Sequence, residues 1–192
     1  MPLNLPNLVT LLRILLIPLI VGIFYLPDAW LSFEGKNILA TGIFIFAAIT
    51  DWLDGYLARK LDQMSAFGAF FDPVADKLVV VGALIVLLHL NRVDMVVALI
   101  IIGREIVISA LREWMATLGH SKSVAVAFIG KLKTVLQMIA IIILLLQHRY
   151  AGRPLYEFGQ YLLMAAAVIT LWSGFVYLRA AWPLMRAEGV AG

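Results

Sequence analysis

Six stretches of about 20 predominantly apolar residues run along this chain, and they constrain its fold more than any other feature. An α-helix of that length crosses the hydrocarbon core of a bilayer. The stretches are roughly 8–26, 37–57, 71–90, 94–115, 124–147 and 156–182. Short connections rich in Pro, Gly, Asn or charged residues separate them. The pattern predicts an all-α integral membrane protein with six transmembrane helices.

The composition excludes several classes of protein. Of 192 residues, 63% are hydrophobic and 14% are charged, whereas soluble domains have about 45–50% apolar and about 25% charged residues. Cysteine is absent, which excludes disulfides and thiolate metal sites. The net charge of +3 is small, and it suits basic loops beside anionic lipids better than a nucleic-acid surface. We expect one membrane domain, residues 1–192, in contact with the lipid bilayer and without a nucleic-acid partner.

The even number of spans places both termini on one side of the membrane. The loops and tails on that side carry slightly more Lys and Arg than the opposite loops, so the positive-inside rule predicts cytoplasmic termini. Residues 1–7 are too short and too rich in proline to span a bilayer. We therefore expect them to form a short N-terminal interfacial segment that leads into the first helix.

Charged residues inside the apolar stretches lie alternately near the beginning and near the end of successive spans. They include Arg13; Asp51 and Asp54; Asp72, Asp76 and Lys77; Arg104 and Glu105; Lys131 and Lys133; and Arg179. In six alternating helices, this order puts these charges in one leaflet. The uncharged run 14–27 covers only about 21 Å at 1.5 Å per residue, against a hydrocarbon core of about 30 Å. Because intramembrane charges usually face a bundle interior or a wet cavity, we expect a polar cavity open to the cytoplasm.

The aspartates of the second and third spans fall on two helical faces. One face, with i, i+3, i+4, i+7 spacing, holds Asp51, Asp54, Gly55 and Ala58. The other, with i, i+4, i+8 spacing, holds Gly68, Asp72 and Asp76. A short connection allows the two faces to meet in an antiparallel pair. Four converging carboxylates would repel unless hard divalent cations such as Mg²⁺ or Mn²⁺ neutralised them. Two such ions could bridge a diphosphate. The small residues serve either helix packing or the approach of a bulky group to the backbone.

The spacing D-x-x-D-G-x-x-A-R-(x8)-G-x-x-x-D-x-x-x-D resembles the signature of the CDP-alcohol phosphotransferase family, and every fixed position is met between Asp51 and Asp76. The segments 7–13, 103–106, 110–114 and 130–134 resemble the bacterial branch of that family whose acceptor is glycerol 3-phosphate. The resemblance covers nearly the whole chain. It implies transfer of the phosphatidyl group from CDP-diacylglycerol to glycerol 3-phosphate, with release of CMP. It also implies a homodimer in the bacterial inner membrane, with the active site facing the cytoplasm.

The resemblance also implies roles for individual residues. Asp51, Asp54, Asp72 and Asp76 correspond to the ligands of two divalent ions, and Asp76 corresponds to the general base. The site for CDP-diacylglycerol corresponds to Asn7, Thr10, Gly55, Ala58, Arg59 and Gly68, with Arg59 on phosphate. Because the implied reaction is a single displacement by an alcohol, it needs a base within hydrogen-bond reach of the attacking hydroxyl and neutralised charge on the phosphates.

The acceptor glycerol 3-phosphate is a dianion, and binding it requires basic side chains. We predict that its phosphate binds Arg104, Arg112, Lys131 and Lys133. The alternative is that some of these residues pair with Glu105 or Glu113, or contact lipid phosphate. Two other functions stay open at this point. One is a family member with a different acceptor, such as serine, inositol phosphate or phosphatidylglycerol. The other is a divalent-cation transporter, although the far halves of the spans lack a polar exit path.

Overall fold

In the computed structural model, the chain forms six α-helices and one short pair of strands. The backbone is described for residues 5–60, 66–117, 127–147, 149–150 and 153–189, and the side chains for 8–51, 68, 71–117, 132–147, 155–179 and 181–183. The helices are α1 (Leu5–Ile23), α2 (Phe33–Lys60), α3 (Ala66–His89), α4 (Met95–Thr117), α5 (Ala127–Leu146) and α6 (Leu155–Gly189). The strands β1 (Arg149–Tyr150) and β2 (Arg153–Pro154) pair antiparallel between α5 and α6. The prediction of six helices is confirmed for the described residues.

The N-terminal segment departs from its prediction. Residues 1–7 were expected to lead into the first helix, but α1 already begins at Leu5. Pro6 is compatible with this start because backbone N–H groups in the first turn of a helix have no partner within the helix. The strands β1 and β2 lie in the predicted connection between the fifth and sixth spans, where no strand was predicted.

Two helices contain segments that are long and apolar enough to cross a membrane by length and composition, namely Phe33–Asp51 in α2 and Leu155–Pro183 in α6. Shorter apolar segments lie in α1 (Leu8–Ile23) and α5 (Leu132–Leu146). In α4, the adjacent charges Arg104 and Glu105 were expected near the end of a span, but they lie near the middle of the helix and interrupt its apolar length. The fold is therefore helical and consistent with a membrane protein.

Contacts within the chain divide it into two compact units, and each is described by itself. The first unit contains residues 1–93 and 141–156, and the second contains 94–140 and 157–192. In the first unit, α1 packs extensively against both α2 and α3, and within the described residues α2 and α3 have fewer contacts with each other. In this part of the chain, α1 therefore connects the two helices that carry the carboxylates.

One face of α1 is buried along most of its length, and its character changes along the helix. The buried residues recur every three or four positions: Thr10, Arg13, Leu16, Ile20 and Ile23. The beginning of this face is polar and the remainder is aliphatic. Near its middle, α1 approaches α3 so closely that a Cβ on Gly82 would lie 2.7 Å from the Cγ2 atom of Ile17. This close packing fixes the depth at which the polar residues of α1 meet α3.

Arg92 follows the C-terminal end of α3 and connects it to other helices of the first unit. Asn91 has a φ of 54°, and the bonds from Arg92 N to Leu87 O and from Asn91 N to Leu88 O form a Schellman motif that ends α3. The Arg92 guanidinium donates to the carbonyls of Leu144 and Leu145 and to Asn37 Oδ1. Burial lowers the pKa of Arg92 to about 10, so the side chain remains charged at neutral pH. It joins α2, α5 and the end of α3.

Candidate active site

The first half of the candidate site is built on the polar end of the buried α1 face. Thr10 and Arg13 lie one turn apart, and each is only 1% exposed. Their side chains point to the same side of α1 because residues i and i+3 share a face. Both are bonded to aspartates of the neighbouring helices.

Arg13 contacts carboxylates from two different helices. Its Nη1 atom lies 2.9 Å from Oδ1 of Asp51, on α2, and also bonds Oδ1 of Asp76, on α3. The arginine is buried, whereas the two aspartate side chains are 46% and 44% exposed. One buried guanidinium therefore contacts two half-exposed carboxylates from different helices.

A third aspartate reaches the same end of α1 through Thr10. The Thr10 hydroxyl donates to Oδ1 of Asp72 at 2.6 Å. Asp72 and Asp76 are four residues apart on α3, and Gly68, which precedes Asp72 by four residues, is buried on the same stripe. Asp51, Asp72 and Asp76 are thus brought to adjoining positions along α1.

Several predicted residues lie outside the described side chains. Asp54, Gly55, Ala58 and Arg59 belong to the described backbone of α2, and Asn7 belongs to that of α1, but their side chains lie outside the described part. Their roles stay predictions. Among the residues that are described, Arg13 is the one that the predicted site did not include. The signal available for it was a single charge, one turn after Thr10, in an otherwise apolar span.

The donor atoms of this site fit a hard divalent cation in their chemistry. Asp51, Asp72, Asp76 and Thr10 offer only oxygen atoms, which are the ligands that Mg²⁺ and Mn²⁺ prefer. Among the described side chains, no three His, Cys, Asp or Glu residues form a ready-made metal cluster. The described carboxylates are instead arranged around the Arg13 guanidinium and the Thr10 hydroxyl. The residues fit a metal by donor type, and the two α1 side chains act as their present partners.

The second unit contains a separate charged cluster, formed by α4, α5 and α6. The Nη1 atom of Arg104 lies 3.0 Å from Oε1 of Glu105, and its Nη2 atom donates a hydrogen bond of 3.0 Å to the Ser173 hydroxyl. Lys133 donates to the same Glu105 oxygen. A Cβ on Gly174 would lie 3.4 Å from Arg104 Cγ, so the absence of a side chain there leaves room for the arginine along α6. The cluster joins two predicted phosphate ligands through one carboxylate.

Arg112 and Lys131, the other two predicted ligands of the acceptor phosphate, are not part of this described cluster. The guanidinium of Arg112, two turns after Arg104 on α4, lies 5.9 Å from the centre of the Tyr177 ring. This distance is within the range of a cation–π contact. The side chain of Lys131 lies outside the described residues. The pairing of Arg104 and Lys133 with Glu105 is one of the alternatives left open by the sequence, and Ser173 is a partner that no motif indicated.

The comparison with protein families agrees with the signature between Asp51 and Asp76. The profile of the CDP-alcohol phosphatidyltransferases matches residues 3–172. The chain belongs to this family. As a member of the family it is an enzyme, so the alternative of a divalent-cation transporter is wrong.

Curated relatives resemble the chain along nearly its whole length. A CDP-diacylglycerol–glycerol-3-phosphate 3-phosphatidyltransferase of Pseudomonas fluorescens is 49% identical over 97% of this chain and 94% of its own. Enzymes of the same name from Escherichia coli K12 and Salmonella choleraesuis are each 48% identical over 94% of this chain and 96% of their own. The similarity therefore includes the regions of both clusters.

Proposed function

We propose that this family member transfers the phosphatidyl group of CDP-diacylglycerol to glycerol 3-phosphate, forming phosphatidylglycerol phosphate and CMP. The observation that carries the proposal is the activity named for relatives that are 48–49% identical over almost the entire chain. The gathering of Asp51, Asp72 and Asp76 along α1 supports it, because phosphoryl transfer depends mainly on positioning and on neutralising charge.

The metal ligands in this proposal are Asp51, Asp54, Asp72 and Asp76, holding two Mg²⁺ or Mn²⁺ ions. When bound, the ions neutralise charge on the diphosphate of the donor and favour departure of CMP. The chain itself supplies the oxygen ligands and holds them in place through α1. Asp72, for example, is oriented by the Thr10 hydroxyl at 2.6 Å.

The chemical step is a single displacement in which Asp76 acts as the base. The hydroxyl oxygen of glycerol 3-phosphate attacks the β-phosphorus of CDP-diacylglycerol, and its proton passes to the Asp76 carboxylate. The bond between the β-phosphorus and the oxygen bridging to the α-phosphorus breaks, and CMP leaves with that oxygen. Asp76 is held by Arg13, which orients its carboxylate for this role.

The donor and acceptor are assigned to different residues. Asn7, Thr10, Gly55, Ala58, Arg59 and Gly68 are the proposed contacts of CDP-diacylglycerol. Arg104, Arg112, Lys131 and Lys133 are the proposed contacts of the acceptor phosphate. Arg104 and Lys133 share Glu105, and this shared carboxylate supports a common role by holding both cations at one place in the second unit.

The decisive experiment is a reaction with purified full-length protein in detergent. CDP-diacylglycerol and Mg²⁺ are supplied together with glycerol 3-phosphate, serine, inositol phosphate or phosphatidylglycerol in parallel, and CMP and the lipid product are measured. We expect product with glycerol 3-phosphate alone. Turnover with another acceptor and none with glycerol 3-phosphate would assign the chain to a different branch of its family.

We also propose that all six helices span the bacterial inner membrane, with both termini and the acidic site on the cytoplasmic side. The homodimer implied by the family stays a prediction. Because the chain has no cysteine, single-cysteine variants can test the topology directly. Ala29→Cys, in the exposed connection after α1, should react with an impermeant maleimide in intact spheroplasts. Gly192→Cys should react only after permeabilisation, and the opposite labelling would reject the orientation.

A further inference from the structure

Arg13 occupies an unusual position for a charged residue. It is 1% exposed on a helix whose following residues, 14–23, are uncharged. A charge at such a site is costly unless it is paired. Its partners come from two other helices: Asp51 on α2 and Asp76 on α3. Arg13 is therefore the described side chain through which α1 holds these two carboxylates together.

Carboxylates outnumber cations in the described part of the site. Three carboxylates, those of Asp51, Asp72 and Asp76, lie beside the guanidinium of Arg13 and the neutral hydroxyl of Thr10. Arg13 and a divalent cation would satisfy the same need, because each places positive charge between carboxylates that otherwise repel one another.

We propose that Arg13 is a positioning residue and the resident counter-ion of the acidic site. It holds Asp51 and Asp76 together before a divalent cation binds, and it weakens the binding of that cation by its own positive charge. The inference rests on the proposed function, which assigns metal binding to these carboxylates. It predicts that the site tolerates loss of Arg13 better when a divalent cation is present than when none is.

Arg92 provides a matched control within the same unit. It is also a buried arginine, 3% exposed, and it also joins separate helices. Its guanidinium donates to neutral acceptors, however, namely two backbone carbonyls of α5 and the Asn37 amide. Substitution of Arg92 removes a buried charge of the same kind without changing the charge beside the aspartates.

The experiment compares Arg13→Gln, Arg13→Lys and Arg92→Gln with the unmodified full-length protein in detergent. Mn²⁺ binding is measured by the electron paramagnetic resonance signal of free Mn²⁺, and thermal unfolding is measured in chelator and in saturating Mn²⁺. In Arg13→Gln we expect the Kd for Mn²⁺ to fall about tenfold, the effect of removing a unit charge roughly 5 Å from a divalent ion in a water-like dielectric. Arg13→Lys keeps the charge, so its Kd should stay within about threefold of the unmodified value.

Thermal unfolding gives a second readout. Loss of a purely structural ion pair would lower the Tm by the same amount with and without Mn²⁺. Arg13→Gln should unfold well below the unmodified protein in chelator, and Mn²⁺ should close more than half of that difference. Arg92→Gln should lower the Tm by the same amount in both conditions. If Arg13→Gln can be purified only with Mn²⁺ present, that also supports the inference.

Three outcomes would overturn it. The first is an unchanged Kd for Mn²⁺ in Arg13→Gln, and the second is a Tm difference that Mn²⁺ does not reduce. The third is failure to obtain Arg13→Gln even in Mn²⁺ when the other two variants fold. If the unmodified protein itself binds no Mn²⁺, the proposed metal site fails together with this inference, and that result is distinct from loss of the Arg13 effect alone.

Discussion

Replacement of Asp76 by asparagine tests its proposed role as the base while leaving the fold around it nearly unchanged. Asparagine keeps an oxygen at the position that Arg13 contacts, but it cannot take up a proton from an attacking hydroxyl. General-base catalysis typically contributes about 10²- to 10⁴-fold, so kcat should fall by that factor, equivalent to roughly 3–5 kcal/mol of barrier. We expect CDP-diacylglycerol to bind as before and Mn²⁺ to bind more weakly, because Asp76 is also a proposed metal ligand, so the assay uses saturating Mn²⁺.

The structure indicates how much stability the same change removes. Asp76 is 44% exposed and Arg13 keeps its contact with Asp51. The lost ion pair is therefore screened on one side, so we expect its contribution to lie nearer the ~1 kcal/mol of surface pairs than the ~3–5 kcal/mol of fully buried pairs. For a chain of this size that loss lowers the Tm by only about 2–4 °C. The variant should remain folded at the assay temperature, so the loss of turnover would report on chemistry.

The assay measures CMP release by Asp76→Asn under saturating substrates, alongside Mn²⁺ binding and thermal unfolding. Asp94→Asn is the matched control. Asp94 caps α4 by accepting bonds from Val96 N and Val97 N, and asparagine caps helices equally well, so activity and stability should both be unchanged. Turnover of Asp76→Asn within about threefold of the unmodified enzyme would refute the assignment of Asp76 as the base, since the factor expected is about 10²-fold or more.

Three further predictions concern the acceptor cluster, the metal and the helix packing. Lys133→Met should raise the KM for glycerol 3-phosphate by about tenfold or more, since a hydrogen bond to a charged group contributes roughly 1.5–3 kcal/mol. The KM for CDP-diacylglycerol should not change. Equal changes in both KM values would indicate a structural role for Lys133. Chelation should abolish CMP release and added Mg²⁺ or Mn²⁺ should restore it, whereas activity that survives chelation would contradict the proposed cofactor. Gly82→Ala should destabilise the protein by about 1–3 kcal/mol, because its Cβ would lie 2.7 Å from Ile17. Gly42→Ala, where a Cβ has no neighbour within 4 Å, should not; thermal unfolding of both variants distinguishes these cases.

The sequence was most informative where a property depends on local helical geometry. The spacing of Asp72 and Asp76 placed them on one face of α3, and the structure brings both to α1. The apolar stretches predicted six helices, with bounds that differ from the observed ones by a few residues at most ends. The predicted start of the fourth span at residue 94 agrees with the start of α4 at Met95. Each of these depends on residues within about two turns of one another.

Contacts between side chains of different helices were harder to predict from the sequence. The faces of α2 and α3 were expected to meet as an antiparallel pair, and most of the α2 face lies outside the described side chains, but the extensive packing of α1 against both helices had no signal in the sequence. Arg13 could be recognised as a charge in an apolar helix, yet its two partners depend on how α1 is rotated towards α2 and α3. Likewise, Glu105 was one of several possible partners for Arg104 and Lys133, and Ser173 lies 69 residues from Arg104 in the chain.

Composition and periodicity were enough to predict a helical membrane protein, and the motif spacing, through its family resemblance, was enough to predict an enzyme with acidic residues on its second and third helices. They were sufficient because the repeat of a helix fixes which neighbours share a face, whatever the rest of the chain does. The choice of Arg13 and Thr10 as the partners of those aspartates became visible only once the helices were packed. It depends on the rotation and depth of α1, which are set by contacts between distant residues such as Ile17 and Gly82, and no local pattern encodes them.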